Sequence, residues 1–180
     1  LSKDIVFIDW GYNKAYDFVN HAKMLEELKV KYLLAPGTST WSSITGRFID
    51  MKETIENSTC SSKKYHGLGI LLTDWGDMGH LQYLPSSYLG FIYGAMLSWS
   101  SGTIEDAEKY LAIILNDETL AKVIVELSHY HELEGEYRDY GTRLFASIMW
   151  AEHGRRQDDK VNFFLNRMKS NIISYEAVQK

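Results

Sequence analysis

Apolar positions fall into three short runs early in the chain, and each run stops at an aromatic residue, glycine and small polar groups. Ile5-Val6-Phe7-Ile8 leads into Asp9-Trp10-Gly11-Tyr12, and Tyr32-Leu33-Leu34-Ala35 leads into Pro36-Gly37-Thr38-Ser39-Thr40-Trp41. Gly69-Ile70-Leu71-Leu72 leads into Thr73-Asp74-Trp75-Gly76-Asp77-Met78-Gly79-His80. Short continuous apolar runs bounded by turn residues read as buried parallel strands, about Ile5 to Asp9, Tyr32 to Ala35 and Leu68 to Leu72. Between the runs the spacing becomes helical. Tyr16, Val19, Met24 and Leu28 fall near one face of a first helix, and Ile44, Phe48, Met51 and Ile55 near one face of a second, with Ser42 or Ser43 as its cap. A loop through Pro85-Ser86-Ser87 then opens an apolar helix from Tyr88 to Trp99. Strand and helix alternating three times predict parallel βα units, whose ligands sit beyond the carboxyl ends of the strands.

The remainder reads as helix. Ile104, Ala107, Leu111 and Ile114 form one stripe, and Leu120, Val123, Ile124 and Leu127 another. Tyr140, Leu144, Ile148 and Ala151 form a third, and Val161, Phe164, Leu165, Met168 and Ile172 a fourth. The expected organisation is therefore a partial (β/α) barrel over residues 1–100 and a helical appendage of about four helices over residues 101–180. Three parallel strands with crossover helices on one side make a barrel wall rather than a whole domain. A complete eight-fold barrel takes ~250 residues. The first apolar run also starts a few residues after Leu1, so a piece of a longer chain is the expectation.

Composition narrows the classes of partner. The 180 residues are 45% hydrophobic and 24% charged, as in an ordinary globular protein, but the aromatic share of 13% is high, with five Trp and twelve Tyr. A net charge of −5, with no basic cluster denser than Lys63-Lys64 or Arg155-Arg156, argues against nucleic acid. Cys60 is the single cysteine, so no intrachain disulfide forms, a thiolate zinc site is not expected and a reducing, cytoplasmic compartment fits. No apolar run approaches the ~20 residues of a membrane span, and no membrane partner is expected.

Three motifs in order resemble the carboxyl-terminal part of family 20 glycoside hydrolases, the β-N-acetylhexosaminidases, in a divergent bacterial branch. They are Asp9-Trp10-Gly11-Tyr12; Ala35 to Trp41 with Gly46-Arg47; and Leu72 to His80 followed by Leu84-Pro85-Ser86-Ser87-Tyr88 and Gly90-Phe91. The resemblance covers about Ile5 to Trp99, and the helical tail by position only. It implies strands six, seven and eight of an eight-stranded barrel acting on terminal N-acetylhexosamine. In that family the substrate's acetamido oxygen attacks the anomeric carbon, so neither a cofactor nor an enzyme nucleophile is implied. The family's catalytic Asp–Glu pair lies at the end of strand four. No stretch of this chain resembles that strand, so no catalytic residue is assigned and the isolated chain is expected to be inactive.

The resemblance implies pocket wall instead. Trp75 would stack on the sugar, and Asp77, one methylene shorter than the family's Glu, would accept from its hydroxyls. Trp10 matches the tryptophan after strand six. Where the family's strand seven carries Asp and Tyr around the acetamide, this chain has Thr38, Ser39 and Trp41. The candidate substrate-binding residues are Trp10, Trp41, Trp75, Asp77, Asp74 and His80, and the expected ligand is a small amino-sugar glycoside. Each has a plainer reading: Trp75 as core, the aspartates as turn acceptors beside Gly76 and Gly79, and His80 as a loop histidine on a carbonyl. Arg47 reads more simply as half of an ion pair. His129-x-His131 has the look of a metal pair, but residues two apart on a helix face different ways.

Two other classes stay open on the sequence. One is a non-catalytic carbohydrate-binding or assembly module. The other is a metal-dependent hydrolase built on Asp9, Asp74, Asp77 and His80. A barrel section would expose inward-facing side chains and open sheet edges, so self-association or packing against a missing barrel portion is expected.

Overall fold

The computed structural model describes residues 4–77, 81–134 and 141–151. The fold is mixed α/β: a small parallel sheet covered on one face by helices that continue into a helical layer. Strands β1 (Val6–Trp10) and β2 (Lys31–Ala35) pair in parallel with Ile8 opposite Leu33 and Trp10 opposite Ala35. Helix α1 (Phe18–Glu27) crosses between them, and α2 (Phe48–Lys64) and α3 (Pro85–Trp99) follow. Helices α4 (Ile104–Leu115) and α5 (Glu118–Ser128), a 3₁₀ turn over Tyr130–Glu134 and α6 (Arg143–Ala151) complete the described chain.

The third strand expected at Leu68 to Leu72 does not form as one. This stretch follows β2 through isolated parallel bridges, Leu34 to Ile70 and Gly37 to Thr73. The hydrogen bonds give the reason. Leu34 N–H donates to Gly69 O (3.3 Å), Leu71 N–H to Leu34 O (2.8 Å), Thr73 N–H to Pro36 O (3.0 Å) and Thr38 N–H to Thr73 O (2.9 Å). A regular parallel ladder needs one further bond, from residue 36 to Leu71 O, and proline has no N–H to give. Below, Gly69 adopts φ +142°, outside the strand region, and Leu68 N–H turns to Tyr32 O (2.9 Å).

Helix α1 turns a different face to the core than the one expected. Phe18, Ala22 and Leu25 are buried, while Val19, Met24 and Leu28 are 44%, 51% and 59% exposed. Asp17 caps the helix by accepting from Asn20 N–H (3.1 Å), which makes Phe18 its first residue. The i, i+4, i+7 line from Phe18 then packs on Tyr32 and Leu34 of β2. Helix α2 buries Phe48, Met51 and Ile55 as expected, but it starts at Phe48 rather than near Ile44. Neither Ser42 nor Ser43 caps it; Ser43 Oγ accepts from Gly46 N–H (2.8 Å) in the preceding loop.

Helix α3 begins at Pro85, three residues earlier than expected, because proline suits the first turn, where no N–H is needed. In α4, Ile104, Ala107 and Leu111 are buried as expected and Ile114 is exposed. Thr103 and Asp106 form a reciprocal capping box at its start. In α5 Ala121 and Ser128 are buried, with Ile124 and Val125 packed beside Ala121, whereas Leu120, Val123 and Leu127 are exposed. In α6, Leu144 is buried and Ile148 exposed. The stripe from Val161 to Ile172 and the position of Tyr140 lie outside the described residues.

The main core joins Phe48, Met51 and Ile55 of α2, Leu89 and Tyr93 of α3, Ile104, Ala107 and Leu111 of α4, and Ala121 of α5. It runs without a break across residue 100. The sheet face away from α1 carries Val6, Ile8 and Trp10, all exposed, with Leu71 exposed on the neighbouring stretch. The corrected face of α1 has a direct test in urea denaturation. Phe18→Ala is expected to cost about 3–5 kcal/mol, and Met24→Ala about 0.5 kcal/mol or less.

Candidate functional site

The carboxyl ends of β1 and β2 and the stretch after Thr73 meet at an aromatic cluster centred on Tyr12. In extended backbone, residues two apart share a side, which brings Tyr12 beside Trp10. Their rings stack at 5.4 Å and 26°. Tyr12 meets Trp41 edge-on at 5.1 Å and Trp75 at 6.5 Å, and its hydroxyl accepts from Trp75 Nε1–H (2.9 Å). Tyr12 is buried, while Trp10 and Trp75 are 55% and 48% exposed. Two indoles thus present faces to solvent from a fixed tyrosine. Sequence reasoning passed over Tyr12 as a site residue, although its spacing from Trp10 was the available signal.

Trp41 plays another part. It is 2% exposed, set edge-on beneath Tyr12, and a Cβ on Gly37 would lie 2.4 Å from its ring, so only glycine leaves it room. The Arg47 guanidinium sits 5.3 Å from the same ring and pairs with Asp50 (3.3 Å), in keeping with the simpler reading of that arginine. Trp41 therefore backs the cluster and offers no face to a ligand.

Asp74 is held by hydroxyls. Thr38, Thr40 (2.9 Å) and Ser87 (2.9 Å) all donate to its Oδ1, and all three are buried. Each hydroxyl has one proton, so with all three given to the carboxylate, the 2.8 Å contact between Thr40 and Ser87 carries none. Ser87 lies in the first turn of α3, where the helix dipole also favours a negative charge. Asp74 thus ties the end of β2 to α3. Thr38 is committed to it, and Ser39 is fully buried at φ +56° with its carbonyl accepting from Arg47 N–H (3.1 Å). Asp77 is exposed at the end of the described stretch, and His80 lies outside the described residues.

Asp9 faces α1 instead. Tyr16 Oη donates to it (2.7 Å), and His21 Nδ1 lies 3.1 Å from both of its oxygens. Asp9 and Asp74 therefore serve separate networks, and among the described residues no three His, Cys, Asp or Glu side chains converge on a metal position. His129 ends α5 with its ring against Phe48, whereas His131, in the 3₁₀ turn, pairs with Ser128 O (2.9 Å).

No family model matches the chain, and neither the curated proteins nor the solved structures searched contain a match.

Replacing Asp74 by Ala leaves three buried hydroxyls without their acceptor and is expected to cost about 3 kcal/mol, read as a lower urea midpoint. A pH effect follows from His131, whose pKa burial pushes below the ordinary 6.5. The unfolded chain then binds a proton that the folded chain resists, so stability falls as pH drops through 6.5. His131→Gln is expected to flatten that part of the stability–pH curve, measured by urea titration at stepped pH.

Proposed function

We propose that this is a carbohydrate-contacting α/β protein, with the exposed rings of Trp10 and Trp75 as its stacking surface. In particular, we read it as the carboxyl-terminal part of a family 20-like glycosidase barrel. Strands β1 and β2 and the stretch that follows β2 to Thr73 would supply the pocket wall for a terminal N-acetylhexosamine, and the catalytic acid pair would come from another part of the parent barrel.

The observation that carries the reading is the division of the uncovered sheet face. Its lower part is apolar, with Val6, Ile8 and Leu71 exposed, and its upper end is aromatic, with Trp10 and Trp75 exposed. A barrel interior needs that arrangement: packed layers below and a ligand-facing rim at the carboxyl ends of the strands. The missing strands would cover the apolar part and pair with the outer edge of β1, and an isolated chain would self-associate through the same surface. Trp75 would stack on the sugar's C–H face, and Asp77, exposed two residues on, would accept from its hydroxyls.

Saturation-transfer NMR with N-acetylglucosamine tests this without relying on tryptophan emission. Transfer to the sugar's ring protons is expected with the unmodified chain and with Trp99→Ala, which alters an indole 92% exposed at the far end of α3. Trp75→Ala is expected to abolish it. No transfer from the unmodified chain, or equal transfer from Trp75→Ala, overturns the sugar reading.

A further inference from the structure

The helical layer carries a groove separate from the aromatic cluster. Helices α4 and α5 border an open groove of about 770 Å³ whose apolar lining includes Ala112, Ile113, Ala121 and Val125. That volume lies within the usual range of ligand and peptide clefts. The alanines keep the floor low, and Ile113, 70% exposed, gives it an apolar side chain that the described residues leave uncovered. This is the form of groove that accepts the apolar stripe of a third helix.

The rims select the sign of that helix. Glu105 and Glu108 stand on the α4 side and Glu118 and Glu126 on the α5 side. The two lysines of the lining are already engaged within their own helices, Lys109 with Asp106 (3.0 Å) and Lys122 with Glu118 (2.7 Å). Lys109 also feels the charge of Glu105 and Lys122 that of Glu126, but with Asp117 the lining sets five carboxylates against these two ammoniums, so the rim stays net acidic. Burial, with the charge of Glu105, raises the Glu108 carboxyl above its ordinary pKa, so a cation arriving there gains an acceptor that its present surroundings disfavour as an anion. An acidic rim repels phosphate backbones and anionic lipid surfaces, which leaves a cationic polypeptide as the complementary ligand.

We propose that the α4–α5 groove docks a basic amphipathic helix of a partner protein, with leucine-type side chains on the Ala112–Ile113–Ala121–Val125 floor and lysine or arginine along the Glu105–Glu108 rim. This surface is independent of the sugar reading and stands if that reading falls.

The test is fluorescence anisotropy of the full chain with a labelled synthetic helix of about five turns, carrying leucines at i, i+3, i+4 and i+7 and lysines on the flanks. A second peptide keeps the leucines and replaces each lysine by glutamate. The lysine peptide is expected to bind saturably and more weakly as salt rises, and the glutamate peptide at least about tenfold more weakly. Ile113→Glu and Glu108→Lys alter exposed or half-buried positions, so neither endangers the fold, and each is expected to weaken the lysine peptide about tenfold. Absence of binding, equal affinity for the two peptides, or indifference to both variants overturns the proposal. So does a dimer in sedimentation that Ile113→Glu converts to monomer, because the groove would then be filled by a second copy.

Discussion

The run from Pro36 to Trp41 lies wholly inside the protein, and the need to satisfy its polar groups governs the surrounding structure. A buried loop lacks water as a partner, so its amides, carbonyls and hydroxyls look to other elements, and Ser39 Oγ alone of the loop's three hydroxyls finds no partner among the described residues. The carbonyl of Pro36 accepts from Thr73, the amide of Thr38 donates to Thr73, and the carbonyl of Ser39 accepts from Arg47. The hydroxyls of Thr38 and Thr40 converge on Asp74. These bonds fix where the stretch around Thr73 runs, where α2 begins and where the first turn of α3 docks. Pro36 supplies the rigidity and also breaks the ladder, because its ring removes one donor that a third strand would need.

Strands β1 and β2 were legible because their signal is local: apolar runs of the right length ending at turn residues. The failures have non-local causes. Leu68 to Leu72 reads as a strand on its own residues, but its regularity depends on a proline in the neighbouring strand. For α1 the sequence offers two apolar lines, Phe18–Ala22–Leu25 and the expected Tyr16–Val19–Met24–Leu28, of similar hydrophobicity. The first prevails because Asp17 sets the helix start and alanine lets α1 approach β2 closely. Likewise, nothing near Asp74 in sequence announces its donors, which lie 36, 34 and 13 residues away.

The candidate site was legible in part. Trp10 and Trp75 reach the open end of the sheet, as a strand-end aromatic followed by glycine suggests. Trp41, six residues beyond the end of β2 and followed by Ser42 rather than glycine, sits under Tyr12, because the loop that carries it turns inward over Gly37. Tyr12 is hard to pick out in sequence because two of its three ring partners, Trp41 and Trp75, lie 29 and 63 residues away. Its effect is to hold both exposed indoles, one by stacking and one through its hydroxyl, so that neither loses much side-chain freedom when a flat ligand arrives.

The motif Asp74-Trp75-Gly76-Asp77 therefore divides by direction. Adjacent residues in extended backbone face opposite ways. Asp74 turns toward the helices and is consumed by three hydroxyls, while Trp75 turns to the open face. A carboxylate already accepting three hydrogen bonds on one oxygen is fixed in orientation and poorly suited to exchange partners with a ligand. On the proposed sugar reading, a hydroxyl contact at this edge would then fall to Asp77, the motif's other carboxylate, which is exposed and two residues beyond Trp75. Under the proposed sugar reading, loss of Asp74 would report on the fold and loss of Trp75 or Asp77 on the ligand, although the residues lie within four positions of one another.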